Sequence, residues 1–525
     1  MVVRGVVKKG EYFDSISLMT VARELNELGG IIDSAVIMGT RENKSILKSS
    51  GLLLPEFNTA EDTDLIVAIK SETEDIADSV LSRIDEYLKQ LGERGETTDQ
   101  FLPKSIEGAL QFLPDANLAL ISVAGKYASI EAQKALKNGL HVMLFSDNVS
   151  LENEIELKKY AKEKGLLLMG PDCGTAIING VPLAFANVVN GGNVGIIAAS
   201  GTGLQEVSCI ISNRGSGISQ AIGTGGRDIK NEVGGLMFIE AIKMLSSDPD
   251  TKVMLLISKP PDTRVIEKIA FILKDIKKPV VAVFLGAEIQ QIRKDRFNTA
   301  LTLEEGALIA VALSLGKDID SVAKMIDEQY IKIKKIAEDE AKKLNRSQKY
   351  IRALFSGGTF CYEAQILFRD ALPGVYSNVP SGYSHNIKYS FKSEKHTVVD
   401  LGNDEFTTGR LHPMIDYSIR SKRIIDEAID PETAVILLDI VLGYGSNPNP
   451  LSEIIPVIEK AKIIAEKGNR YLSIICSVIG TDQDPQNWSE VVNGLKEAGV
   501  LVMESNAAAC NLAAFTINNI QTEES

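Results

Sequence analysis

The chain repeats itself, and that repeat restricts it to a tandem α/β architecture. A strand opening at Gly195 delivers the chain into Ser200-Gly201-Thr202-Gly203-Leu204-Gln205-Glu206, and a strand over Arg352–Phe355 delivers it into Ser356-Gly357-Gly358-Thr359-Phe360-Cys361-Tyr362-Glu363. Setting Thr202 against Thr359 pairs Gly201 with Gly358 and Glu206 with Glu363. Farther on, Asp430–Leu438 matches Asp248–Leu256; six of the nine residues (Asp, Pro, Thr, Val, Leu, Leu) are identical. Agreement at both ends of the unit marks a tandem duplication. The spacing predicts one module over 191–315 and a second over 350–520.

The turns carry a physical reason for function. A strand enters a glycine turn and a helix starts at once, so the first amide N–H groups lack intrahelical partners and point with the positive end of the helix dipole. Such a terminus holds a phosphate or carboxylate, and glycine lets the anion approach the backbone. Ser200, Gly201, Thr202 and Gly357, Gly358, Thr359 are therefore candidate anion-binding residues, with Gly226 and Arg227 beside a further glycine turn. The plain alternatives are a helix cap for Ser200 and Thr202, and a surface pair or helix-start acid for Arg227-Asp228. If the modules face each other, their helix ends flank one anion.

Elsewhere the chain divides readily. Residues 1–95 alternate strands and amphipathic helices as a small N-terminal α/β domain, for which a ferredoxin-like sandwich is one arrangement. A polar stretch over 92–103 reads as a linker. From 104 to 190, continuous apolar strands separated by helices predict a parallel sheet covered on both faces, hence a Rossmann-like domain. Residues 316–349, rich in Lys and Glu, read as a solvated helical connector.

Bulk composition removes several function classes. A net charge of −14 argues against nucleic acid, whose backbone is contacted mainly by Lys and Arg. The N-terminus lacks the long apolar region of a signal peptide, and no apolar run reaches a membrane span, so a cytoplasmic protein without membrane partners is expected. Five scattered cysteines and four histidines offer no metal site by spacing.

The motifs also occur in a familiar order. Gly170-Pro171-Asp172-Cys173, Ser200-Gly201-Thr202, Gly223-Thr224-Gly225-Gly226 and Asp248-Pro249-Asp250-Thr251 resemble the G-P-N-C, S-G-T, G-x-G-G-D, D-P-E-T series of the succinyl-CoA synthetase α-subunit. The likeness covers about 105–315, and the second module resembles the companion ligase domain. The whole arrangement, with its N-terminal extension and no ATP-grasp region, resembles the FdrA family, which includes acyl-CoA synthetase FdrA and the oxamate carbamoyltransferase subunit AllF. The resemblance implies a Rossmann-like CoA-binding-type domain followed by two flavodoxin-like ligase modules. It makes Gly170, Pro171 and Cys173 a CoA-type motif, although a small buried thiol is the commoner fate of such a cysteine. CoA is permitted, and no cofactor is required by any motif.

One departure shapes the expected activity. Those synthetases carry a phosphorylated histidine in the loop after the strand equivalent to Val280–Leu285, and here Gly286–Leu301 contains none. The resemblance then implies transfer of a ready-made acyl or carbamoyl phosphate: oxalurate plus phosphate interconverted with oxamate plus carbamoyl phosphate, in anaerobic allantoin catabolism, as one subunit of a larger complex. The alternatives are an acid–CoA ligase that works with a separate ATP-grasp partner, and a non-catalytic CoA-metabolite scaffold. In the second module, Arg410 offers bidentate bonds to a carboxylate or phosphate, His412 a proton relay, and Asp439 a carboxylate at the end of a strand. The alternative for the Asp400–Asp416 segment is a loop whose acids and Arg pair with each other.

Overall fold

The computed structural model describes all residues except 12, 14, 27, 96–102, 104, 288–296, 408, 409 and 523–525. Most of the linker expected over 92–103, and most of the loop Gly286–Leu301, lie outside the described residues. The chain forms two compact units, Met1–Lys104 with Asp404–His412, and Ser105–Asn403 with Pro413–Ser525.

In the first unit Leu65–Ser71 is the middle strand of an antiparallel sheet, flanked by Val2–Lys8 and Ile31–Met38. The strand order is that of a ferredoxin-like sandwich without its last strand, with the helix Arg41–Ser49 and the short turn Pro55–Thr59 inserted between the second and third strands. Leu65, Val67 and Ile69 pack with Leu18, Val21 and Leu25 on one face, while Ile66 and Ala68 meet Leu47 and Phe57 on the other. Both faces are covered, which is why this strand is a continuous apolar run rather than an alternating one.

The second unit begins with three parallel strands, Leu118–Ile121, His141–Leu144 and Leu168–Met169, joined by the helices Gly125–Lys137 and Leu151–Glu163. This is one βαβαβ half of a Rossmann-like sheet. It ends earlier than expected. The hairpin Thr175–Ile178/Val181–Ala184 leaves that sheet and pairs antiparallel with Ile218–Gly223 of the first module.

The duplication is visible in the sheet topology. In the first module Gly191–Ala199 lies between Ile218–Gly223 and Val253–Ser258, with Val280–Phe284 beyond the latter. In the second, Tyr350–Phe355 lies between His396–Asp400 and Thr433–Val441, with Ser473–Ile479 beyond. All these pairings are parallel, so each glycine turn leaves the carboxyl end of a central strand, where such sheets place ligands. Two turn helices, Gly201–Asn213 and Gly358–Arg369, pack with Leu303–Ser314 and Asn506–Thr522 into one core shared by both modules.

The charged connector is a helix, Asp320–Ala341, but it is not solvated all round. Val322, Ile333 and Ala337 are buried in the shared core, and Glu340 accepts hydrogen bonds from Tyr471 Oη (2.7 Å) and Ser473 Oγ (2.8 Å). A narrow apolar stripe suffices to dock a helix whose other faces are charged.

Candidate functional site at the module junction

The two turn helices meet at their N-termini. Ser200 Oγ and Thr359 Oγ1 are 2.7 Å apart, joined by a hydrogen bond. A methyl on Gly357 would lie 2.8 Å from both Cγ2 and Oγ1 of Thr202, so glycine is what allows this approach. Neither helix has a side-chain cap. The capping alternative therefore fails for Ser200, whose hydroxyl reaches the other module instead.

The pseudo-symmetry is broken in accessibility. Gly201 is exposed and Ser200 half-buried, whereas Ser356, Gly357 and Thr359 are buried. The Asp400 carboxylate also stands beside the second turn, with Oδ2 2.7 Å from where a Cβ of Gly358 would be. An acid there already answers the positive helix end and repels an incoming anion. The two helix ends do meet, as expected of modules that face each other, and the terminus open to solvent is that of Gly201.

Beneath the turns lies a group of buried carboxyls. Glu206 Oε1 accepts from Asn506 N (2.7 Å), the first residue of helix Asn506–Thr522 of the second module. In mirror fashion Glu363 Oε1 accepts from Leu303 N (2.9 Å), the first residue of helix Leu303–Ser314 of the first. Glu363 Oε2 also accepts from Asn506 Nδ2 (2.8 Å), and Glu304 Oε2 accepts from Ser505 Oγ (2.7 Å). Burial foremost, then the neighbouring acids, holds Glu206 well above the ordinary carboxylate range; burial also raises Glu363, to about 7, and Glu304.

The remaining motifs converge on the other flank of the first module. Gly225 has φ +81°, and a Cβ on it would lie 2.4 Å from Pro171 O, so the Gly170-Pro171 motif and the second glycine turn interlock. Cys173 is buried, 3.4 Å from Gly223 O, and burial pushes its thiol up to about 12. It is a packing residue. Arg227 does not face open solvent as a free cation; its Nε lies 2.8 Å from Glu154 Oε2 and its Nη2 donates to Val149 O (2.8 Å). Beside it, wholly buried Lys158 donates to Glu154 (2.8 Å) and Asp228 (2.9 Å). Asp228 in turn accepts from Phe238 N (2.7 Å), so the helix-start reading of Arg227-Asp228 is the one the fold adopts. Gly226 is exposed with open space around it.

Asp439 is corrected from a substrate-facing acid to a positioning residue. It is fully buried, its carboxylate accepting from Ser356 N (2.7 Å) and Oγ (2.5 Å) and lying 3.3 Å from Arg420 Nη1. The Gly443–Asn447 loop at the end of the same strand is occupied by protein: Tyr444 N donates to Ala186 O and Asn187 Nδ2 to Leu442 O, both at 2.9 Å. Arg410 and His412 belong to the first unit, Met1–Lys104 with Asp404–His412, and Asp439 to the second.

Sequence reasoning missed a cleft beside the Ser200 turn. At the carboxyl end of Val253–Ser258, a cleft of about 470 Å³ is lined by Lys230, Lys259, Asp262, Thr263 and Tyr362, with Pro260 and Pro261. Ser258 is in register with Ala199, so Lys259 leaves the sheet beside the Ser200 turn. Tyr362 comes from the second module, and Lys259 Nζ lies 5.3 Å from its ring centre. The signal was available: Lys259-Pro260-Pro261-Asp262 ends a buried strand on two residues without N–H groups.

This architecture is that of the succinyl-CoA ligase-like class, as two of the three matching family models say. The CoA binding domain matches residues 190–286, the CoA-ligase domain residues 354–516, and the AllF heavy metal-associated domain residues 1–102. The chain belongs to the FdrA family. It is 43% identical over 506 residues to the uncharacterized protein YahF of Escherichia coli K12, covering 96% of this chain and 97% of that one. It is 30% identical over 176 residues to the succinate–CoA ligase (ADP-forming) subunit alpha 1 of Archaeoglobus fulgidus, covering 33% of this chain and 59% of that subunit. A dinucleotide-forming acetyl-coenzyme A synthetase from Candidatus Korarchaeum cryptofilum aligns with a TM-score of 0.32 at 14% identity, covering 82% of this chain and 90% of that one. Despite the name of the first domain's model, residues 1–102 contain neither cysteine nor histidine, so the thiolate and imidazole ligands of a heavy-metal site are lacking there. No helix among the described residues is long and apolar enough to cross a membrane.

Proposed function

We propose that the chain is a subunit of an oxamate carbamoyltransferase, interconverting oxalurate plus phosphate with oxamate plus carbamoyl phosphate in anaerobic purine catabolism. The observations that carry this reading are a sequence over Gly286–Leu301 with no histidine to phosphorylate, and a turn helix whose Gly201 end stays open. The AllF-type match over residues 1–102 supports it. In the reaction a phosphate oxygen attacks the carbamoyl carbon, and the bond to the oxamate nitrogen breaks. The proton released from phosphate ends on that nitrogen. Charge develops on the carbonyl oxygen in the tetrahedral intermediate, and fixed N–H donors at an open helix end are suited to stabilise it.

The test is phosphate-dependent cleavage of oxalurate by the purified chain, alone and with co-expressed partner subunits, read as carbamoyl phosphate formed. No cleavage with any partner sinks the proposal. A second reading, an acid–CoA ligase acting with a separate ATP-grasp chain, draws on the CoA-binding and CoA-ligase matches. CoA-dependent ADP formation with such a partner would select it.

A further inference from the structure

We infer that the cleft between Lys230, Lys259 and Tyr362 is a binding site for a small phosphate dianion. Its charge is set against the chain as a whole. The protein carries −14, yet the lining has two ammonium groups and one carboxylate. That carboxylate, Asp262, is already engaged: Oδ2 accepts from Asn231 N (2.8 Å), and Oδ1 lies 3.7 Å from Lys230 Nζ. Lys259 has no carboxylate partner among the described residues, only the face of Tyr362. An exposed, unpaired lysine held over an aromatic ring is poised to meet an anion rather than to brace the fold.

The surroundings fit phosphate in particular. The helix Thr263–Leu273 begins in the cleft straight after Pro260-Pro261, with Thr263 in the lining; its N-cap residue is Asp262, whose carboxylate is held by Asn231 N and Lys230, so the anion is met chiefly by the lysines. A volume of about 470 Å³ holds a small metabolite and not a macromolecule. Lys230 lies three residues beyond Arg227, so the glycine turn over Gly223–Gly226 does lead to a cation that faces a ligand; it is the lysine and not the arginine. Because Tyr362 belongs to the second module and both lysines to the first, the site exists only when the two modules are docked. It lies beside the Ser200 turn, and it deepens the transferase proposal by giving the phosphate a place, on which reading its catalytic use rests.

Titration calorimetry on the full chain tests binding separately from turnover. Inorganic phosphate, carbamoyl phosphate and CoA are titrated into wild type and into Lys259→Ala, Lys230→Ala and the double variant, with circular dichroism melts confirming folding. The expected result is saturable phosphate binding, weakened roughly tenfold or more by each substitution, as for loss of a charge-assisted bond. Wild-type affinity for phosphate in the double variant overturns the inference, as does absence of phosphate binding in wild type. CoA binding lost in the same variants without phosphate binding also overturns it, in favour of a larger nucleotide-like ligand. Phosphate binding that follows the lysines, in a chain that cleaves no oxalurate with any partner subunit, sustains the site while refuting the transferase.

Discussion

Substituting Glu363→Gln should change how stability depends on pH, and by a predictable amount. Glu363 is buried between Leu303 N and Asn506 Nδ2, and its folded-state value is raised to about 7 against an ordinary 4.5, chiefly by burial. Between those values the folded chain holds a proton that the unfolded chain has released. Its contribution is complete below about pH 4.5 and is lost as pH rises through about 7. From pH 5 to pH 8 wild type should lose about 2–3 kcal/mol through this group, at about 1.4 kcal/mol per pH unit. Glutamine cannot titrate, so the variant should lose none of it. With an unfolding entropy of roughly 2 cal/mol/K per residue, the variant's Tm relative to wild type should rise by about 3 °C over that range. Comparing the difference at pH 5 with that at pH 8 cancels any packing cost of glutamine itself. A difference that stays constant with pH would show that Glu363 is ionised throughout and would refute the argument.

Two further expectations are more direct. Lys158→Met leaves Glu154 and Asp228 buried without their shared cation and should cost about 3–5 kcal/mol; a loss below about 1 kcal/mol in denaturant unfolding would show that water or a rearranged Arg227 takes its place. All five cysteines are buried, and Cys173 is pushed up to about 12. A thiol reagent at pH 8 should therefore label the native chain slowly and the denatured chain at all five; rapid native labelling of Cys173 would restore it as a reactive residue.

What could be read from the sequence was what is locally encoded. The glycine turns, the Asp-Pro-x-Thr strand entries and the apolar strands each sit within a few neighbouring residues, and the duplicated sheets follow from them. The pairing of Glu206 with Glu363 was also visible, but the helices they touch begin at Asn506 and Leu303, far away in sequence. Lys158 shows the same limit. Its neighbours on a charged helix do not announce burial, which depends on Thr224 O and Asp228 of the next module together with Glu154. Charge density misled for Asp320–Ala341: its apolar positions fall at helical spacing, but only the packed structure shows that Val322, Ile333 and Ala337 dock it on the shared core. Arg410 and His412 looked adjacent to the second module's chemistry because they are adjacent in the chain, which leaves the second unit at Asp404 and returns at Pro413.

The crossed contacts of Glu206 and Glu363 bear on how this chain could be divided. Each module supplies the acceptor for the opening amide of the other's helix, so neither half can satisfy its own hydrogen bonds alone. A cut in the short segment between Ala341 and Tyr350 would separate two fragments that are each left with a bare helix start and a buried acid. They should behave as an obligate heterodimer does, recovered together by co-expression and insoluble apart. The covalent link makes the partnership intramolecular, and the cleft shared by Lys259 and Tyr362 then never depends on the concentration of a second chain.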